Sequence, residues 1–424
     1  MRHRASFLPS LLLAALAVAL GFDPAHARSL SSKLNEFVSN VTNPLAGVQI
    51  AEPLTPIIKR AAIRGADFPV ASTTPGFVYR YDPEVGMFER SDSLGPVFLE
   101  RSDTIGKGRV DLGFSYLYTD LTEFDGEDFA DDMLLASQVN NVSTTSGPVN
   151  VAGAFQGTDF SLRYHSFTFS GTYGVTDRWD VNVIVPLLYT ILDLEGDAVA
   201  AAQFLDTGGI IGNTEPARVS FSDFVDSNDA FGVGDVQGRT KYRLMEGGIV
   251  DMAATFAVRF PTGEEDNFQG LGDFTLTPSL VASKNFGPHN VHMQLGVEFN
   301  TDDMDRTRGR YGIGGALQII ESVAFLVELI GSSSFTDDEF DIATVKAGEI
   351  TPDQLLLPSQ FVKRQTATEI VAFVPQSNII DIATGFKFNI AGRVVAYVSA
   401  IIPITNDGLR TSTAVPTGGL QYSF

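Results

Sequence analysis

The residues able to do chemistry are few. Beyond the first 27 positions the chain holds three histidines, His165, His289 and His292. Hydrolysis needs a nucleophile beside an orienting base, or an acid–histidine pair that activates water. His165 and Ser166 are adjacent, but neighbours on a regular strand point to opposite faces. His289 falls in a predicted turn with His292 close by, and neither G-x-S-x-G nor H-E-x-x-H occurs. The chain has no cysteine, which removes thiol catalysis, thiolate metal sites and disulfides. Acidic clusters at Asp120–Asp132, Glu264–Asp266, Asp302–Asp305 and Asp337–Asp341 offer oxygen ligands for Ca²⁺ or Mg²⁺, yet none has EF-hand spacing. They read as solvated loop charge. The expectation is no enzyme, no cofactor and no metal.

Charge narrows the partners. Lys and Arg number 29 against 51 Asp and Glu, a formal charge of −22 with no basic block. Nucleic-acid affinity comes largely from Lys and Arg displacing counterions, so no nucleic acid is expected. One local exception is the alternation Arg239, Lys241, Arg243, with Arg259 on the next segment. Such a basic wall would attract an anionic solute or part of the acidic chain itself. Alternatively it pairs internally with Asp251, Glu298, Glu328 or Asp381.

The elements that must position these groups come in two blocks. Residues 1–27 read as a cleaved secretory signal: Arg2 and Arg4, an apolar run from Leu11 to Leu20, then Ala25-His26-Ala27. Residues 28–107 are irregular and proline-rich, with one short helix predicted at 31–40, capped by Ser31 or Ser32. From residue 108 to 424 apolar and polar residues alternate, the period-2 mark of strands. Twelve are predicted, at 109–119, 161–173, 179–189, 235–244, 252–260, 274–282, 291–299, 311–320, 323–330, 380–390, 394–402 and 418–424. Connections alternate strictly between long and short. That asymmetry, with an even strand number, is the pattern of outer-membrane β-barrels. No apolar stretch past residue 27 approaches the roughly 20 residues of a membrane helix.

The fold class expected is therefore all-β, an antiparallel transmembrane barrel of about 12 strands preceded by an irregular segment. On that fold one face of each strand meets lipid and the other the lumen. Arg163, His165, Arg239, Lys241, Arg243, Arg259, Glu298, Glu328, Asp381 and Lys387 are the lumen-facing candidates. Two sites break the alternation. A bulge near His165–Ser166 would reconcile the two registers of the second strand. Pro278, mid-strand in the sixth, implies a bulge or a lateral break in the wall. The chain ends Thr417, Gly419, Tyr422 and Phe424, which resembles the C-terminal signal read by the bacterial barrel-assembly machinery.

The set Gly234-Asp235, Lys241-Tyr242-Arg243-Leu244, Gly247-Gly248, Phe260-Pro261-Thr262-Gly263-Glu264, Gly272-Asp273 and Ser283-Lys284-Asn285-Phe286-Gly287 resembles one family. It is similar to the outer-membrane barrels grouped with the meta-pathway of phenol degradation, distant kin of fatty-acid-transporter-like barrels. The resemblance implies passive uptake of small, hydrophobic or aromatic solutes across a Gram-negative outer membrane, with lipid, lipopolysaccharide and the assembly machinery as partners. A closed structural barrel and a general porin are the alternatives. In the leading reading residues 28–107 enter the lumen as a plug.

Overall fold

The computed structural model describes residues 29–34, 36, 69, 72, 79–82, 87–90, 94–124, 127–128, 134–144, 147–204, 217–219, 223–335, 378–390 and 393–424. The signal-peptide expectation, half of the predicted helix and the acidic run at 337–341 lie outside them. Twelve strands form the wall: β1 Val110–Leu121, β2 Gly147–Thr176, β3 Trp179–Phe204, β4 Gln237–Met245, β5 Asp251–Arg259 and β6 Thr275–Phe286. They continue as β7 His289–Asn300, β8 Arg308–Ile320, β9 Val323–Ser334, β10 Asn378–Asn389, β11 Val394–Pro403 and β12 Val415–Ser423. Each pairs antiparallel with its sequence neighbour, and β12 pairs with β1 from Thr417↔Leu117 to Ser423↔Asp111, which closes the sheet. Closure leaves the wall with no edge, the condition for a sheet to cross a bilayer.

Alternation gives the wall its two surfaces. Leu112, Phe114, Val183, Leu280, Leu295, Ile313, Val327 and Val398 are exposed on the outside, while Asp111, Asn182, Ser279, Glu328 and Ser399 are buried within. An apolar exterior around a closed barrel is unfavourable in water and suited to lipid. The protein is a membrane-spanning β-barrel. Long connections gather at one end, here the loop end, and short ones at the turn end. β2 and β3 run 30 and 26 residues, far past the roughly 9–11 a tilted membrane strand needs. Their hairpin therefore projects beyond the bilayer at the loop end. There it also pairs with strands Leu134–Thr144 and Asp223–Val233.

The bulge expected near His165–Ser166 is absent, and of the two alternatives at Pro278 the break, not the bulge, is present. Across His165–Ser166 the β1–β2 register is continuous, from Tyr116↔Phe167 to Leu121↔Leu162. The change of pattern is a change of surroundings. Below this point the exterior meets lipid and carries Phe167, Phe169 and Tyr173. Above it the exterior meets water, and Leu162 and Tyr164 turn inward, fully buried. At Pro278 the register is also unbroken, but the β6–β7 ladder lapses: Leu276↔Phe299 is followed by Ser279↔Gly296, with Thr277 and Pro278 unpaired on that side. Pro278 still faces Phe256 across β5. The missing N–H thus opens a local break in the wall without shifting it.

Candidate functional site

The interior is built from the chain preceding β1. Residues 94–107 cross the barrel, and their backbone groups are held by wall side chains. Both oxygens of Glu328 on β9 accept, one from the N–H of Val97 at 2.8 Å and the other from that of Phe98 at 2.9 Å. Lys387 on β10 donates to the carbonyl of Gly95 at 2.7 Å and also to that of Pro96. Further along, the N–H of Glu100 meets Gln294 Oε1 at 3.1 Å, that of Ser102 meets Ser283 Oγ at 3.0 Å and that of Ile105 meets Asp180 Oδ2 at 2.9 Å. A stretch without secondary structure can sit inside a membrane barrel only if its peptide groups find such partners.

The strap divides the interior. Val97 and Phe98 join Leu117, Ala316, Leu326, Ala383, Tyr397, Ile401 and Val415 in an apolar core against β1 and β8–β12. On the opposite side lies the basic wall. Lys241 Nζ stands 2.9 Å from Glu100 Oε2, and Arg239 Nη1 lies 3.7 Å from the same carboxylate. Arg243 pairs with Glu246 at 3.1 Å and donates to the carbonyl of Asp177 at 2.6 Å. Glu100, Glu246 and the Asp177 carbonyl are thus partners of this wall beyond the acids named from the sequence. Glu298 is gripped by Arg308 Nε at 2.8 Å and Arg310 Nε at 2.7 Å. Glu328 faces His292 Nε2 at 3.4 Å, and Asp381 pairs with Arg410. Asp180, Arg308, Arg310, Arg410 and Glu100 are among the charged residues that sequence reasoning missed. Arg308 and Arg310 did carry a signal, since they alternate on one face as Arg239 and Lys241 do.

Beside the strap is a cavity of about 120 Å³. Phe98, Leu99 and Glu100 border it from the strap, and Arg239, Lys241, Arg259, Gln294, Glu298 and Arg310 from the wall. It also touches Phe256 and Tyr311, which belong to the outer register of β5 and β8.

Two candidates are corrected. Arg163 and His165 share the outer register of β2 with Phe167 and Phe169. Arg163 pairs with Asp193 outside the wall. His165 Nδ1 lies 2.8 Å from the Tyr116 hydroxyl, with the Tyr118 and Tyr189 rings at 5.0 and 5.9 Å. Neither residue meets the lumen. At the chain end, Thr417 is buried, Tyr422 and Phe424 are exposed with their rings edge-on at 4.5 Å, and Gly419 lies beneath Tyr397.

The P-T-G word acquires a physical role. Asp235 accepts from the N–H groups of Gly263 at 3.1 Å and Leu271 at 2.8 Å. Thr262 Oγ1 accepts from Val236 N–H and donates to the Gly234 carbonyl at 2.8 Å. These bonds fold the β5–β6 loop inward. Buried Gln269 reaches Thr190 Oγ1 and the carbonyls of Leu188 and Ala230. Tyr164 donates to the Phe268 carbonyl, and the N–H of Leu30, in the helical stretch 30–34, donates to Asn267 Oδ1. Ser29, rather than Ser31 or Ser32, caps that turn, its hydroxyl accepting from Ser32 N–H at 3.2 Å.

Among known proteins, the family model described as "Putative MetA-pathway of phenol degradation" matches residues 139–346, a span that contains the P-T-G and S-K-N-F-G words. The resemblance read from those words is borne out. No curated protein matches the chain in sequence. In fold it is similar to an outer-membrane channel from Pseudomonas putida F1, at 11% identity and TM-score 0.43 over 76% of this chain and 98% of that one. It is also similar to the Pseudomonas putida toluene transporter TodX, at 10% identity and TM-score 0.34 over 84% of this chain and 97% of that one. The Ralstonia pickettii toluene transporter TbuX matches at 11% identity and TM-score 0.31, over 75% and 89%.

Proposed function

We propose that the protein is a passive outer-membrane channel for small hydrophobic or aromatic molecules, with residues 28–107 as its lumen plug. The observation that carries this reading is the strap. Residues 94–107 cross the barrel on side-chain hydrogen bonds, where a strand or helix would fill the space permanently. Beside them the cavity keeps an apolar border, Phe98 and Leu99, deep in the wall. The lapse at Thr277–Pro278 supplies a sideways route for apolar solutes, since residues of the outer register, Phe256 and Tyr311, touch the same cavity. Assembly through Thr417, Gly419, Tyr422 and Phe424, in a bilayer bearing lipopolysaccharide, belongs to the same proposal.

The test is single-channel conductance in planar bilayers, comparing the chain from Arg28 with one lacking 28–107. Deletion raises conductance if the segment occludes the lumen; identical conductance refutes the plug. The second reading, a closed structural barrel, is favoured by the paired interior charges of Glu298, Arg308, Asp381 and Arg410. It predicts that neither form conducts and that liposomes carrying the full chain take up no toluene.

A further inference from the structure

The strap rests on one row of the wall. Ser283, His292, Gly314 and Glu328 are consecutive partners across β6, β7, β8 and β9. Both ends of the row hold the strap: Ser283 Oγ accepts from Ser102 N–H, and Glu328 accepts from Val97 and Phe98. Between them His292 Nε2 lies 3.4 Å from Glu328 Oε1, and both side chains are buried.

That approach depends on the glycine in the middle. Two strand spacings, roughly 10 Å in all, separate the backbones of β7 and β9, so the two side chains meet only by crossing β8. A Cβ on Gly314 would stand 2.8 Å from His292 Nε2 and 2.8 Å from Glu328 Cγ. The imidazole is held from behind as well. Asn290 donates through Nδ2 to Asn285 Oδ1 at 2.5 Å, and its own Oδ1 lies 3.0 Å from His292 Nδ1. An amide oxygen only accepts, so Nδ1 carries the hydrogen and Nε2 is the nitrogen turned to the carboxylate. Lys387 attracts Glu328 too, but from β10, on the other side of β9. A glutamate side chain has several freely turning bonds, and presenting both oxygens to consecutive N–H groups requires that its carboxylate be fixed.

We propose that His292, reaching across Gly314, is a positioning residue. It sets the orientation of the Glu328 carboxylate and thereby how readily residues 97 and 98 let go of the wall. The proposal rests on the channel reading, in which release of the strap opens the lumen, and it names the residue that regulates that release.

The experiment is amide hydrogen exchange of the chain from Arg28 in detergent, read by mass spectrometry on peptides covering 94–107, beside single-channel recording. His292→Leu should speed exchange in this stretch about tenfold and bring openings, with exchange in the wall strands unchanged. His292→Gln keeps a donor nitrogen near the place of Nε2 and should restore exchange to within about twofold of the parent. Gly314→Ala leaves both groups present, puts a methyl between them and should act as His292→Leu does. It also serves as the second variant should His292→Leu not fold, folding being read from migration on an unheated detergent gel. Parent-like exchange in both His292→Leu and Gly314→Ala overturns the proposal. Exchange as fast in His292→Gln as in His292→Leu also overturns it, since the ring would then only fill space. Faster exchange in a barrel that stays silent even without residues 28–107 upholds the positioning role and refutes the channel.

Discussion

Glu328 and Lys387 hold four consecutive residues of the strap between them. The carboxylate takes the N–H groups of Val97 and Phe98, and the ammonium takes the carbonyls of Gly95 and Pro96. The two sit on adjacent strands, β9 and β10, where Glu328 faces Ala383 and Lys387 faces Ala324. Their charges are thus matched to the two poles of the peptide backbone. Both are essentially fully buried, so removing either leaves buried peptide groups unserved, at about 1–3 kcal/mol each. Lys387→Met should release the Gly95–Pro96 end while leaving the wall hydrogen bonds intact. The expected outcome is frequent opening events in bilayer recordings of an otherwise silent protein, with the folded gel band unchanged. A variant as quiet as its parent would show that the contacts of Glu328, Gln294, Ser283 and Asp180 hold the strap without Lys387.

Strands were legible because lipid on one side and water or polar groups on the other impose alternation along every membrane-crossing segment. All twelve appear in sequence order, from β1 to β12. Alternation reports solvent, however, and not face. Where β2 leaves the bilayer the outside becomes polar, so Arg163 and His165 look like lumen residues and Leu162 and Tyr164 like lipid residues. The irregular segment before β1 was read as a lumen plug, but its wall partners left no trace because side-chain-to-backbone hydrogen bonds have no period. The P-T-G word was visible only as a resemblance, since its bonds join Asp235 to Gly263 and Leu271, 28 and 36 positions away. Pro278 was legible as trouble, because a residue without an N–H cannot complete two ladders. Its consequence belongs to the element. Pro278→Val restores a donor opposite the register position of Val297 and should close the break between β6 and β7. The expected result is a several-fold slower entry of toluene into liposomes, with a higher thermal unfolding midpoint. Unchanged toluene entry would place the route elsewhere.

At the scale of the molecule, closure decides more than any single contact. In lipid an open edge exposes N–H and C=O groups that nothing else can satisfy, so the β12–β1 seam forms completely or the barrel fails. The seam is built for close approach. Gly419 lies opposite Ser115, and a Cβ there would stand 2.6 Å from the Phe114 carbonyl oxygen and 2.5 Å from Tyr397 Cε1. Ser423 adds a hydrogen bond to Asp111 at 3.0 Å, tying the last strand to the first. Tyr397 is itself buried among the residues that pack Val97 and Phe98, so it cannot yield without disturbing the strap. Two demands meet at one position, the narrow gap between β12 and β1 and the fixed ring of β11. Gly419→Val should therefore act on assembly as a whole rather than as a local strain of 1–3 kcal/mol. The measurement is the fraction of protein that migrates as the compact, heat-sensitive band on an unheated gel, which should fall several-fold. A full folded fraction accompanied by raised conductance would mean that Tyr397 moves aside and takes the strap with it. That outcome would make the seam and the plug one mechanical unit.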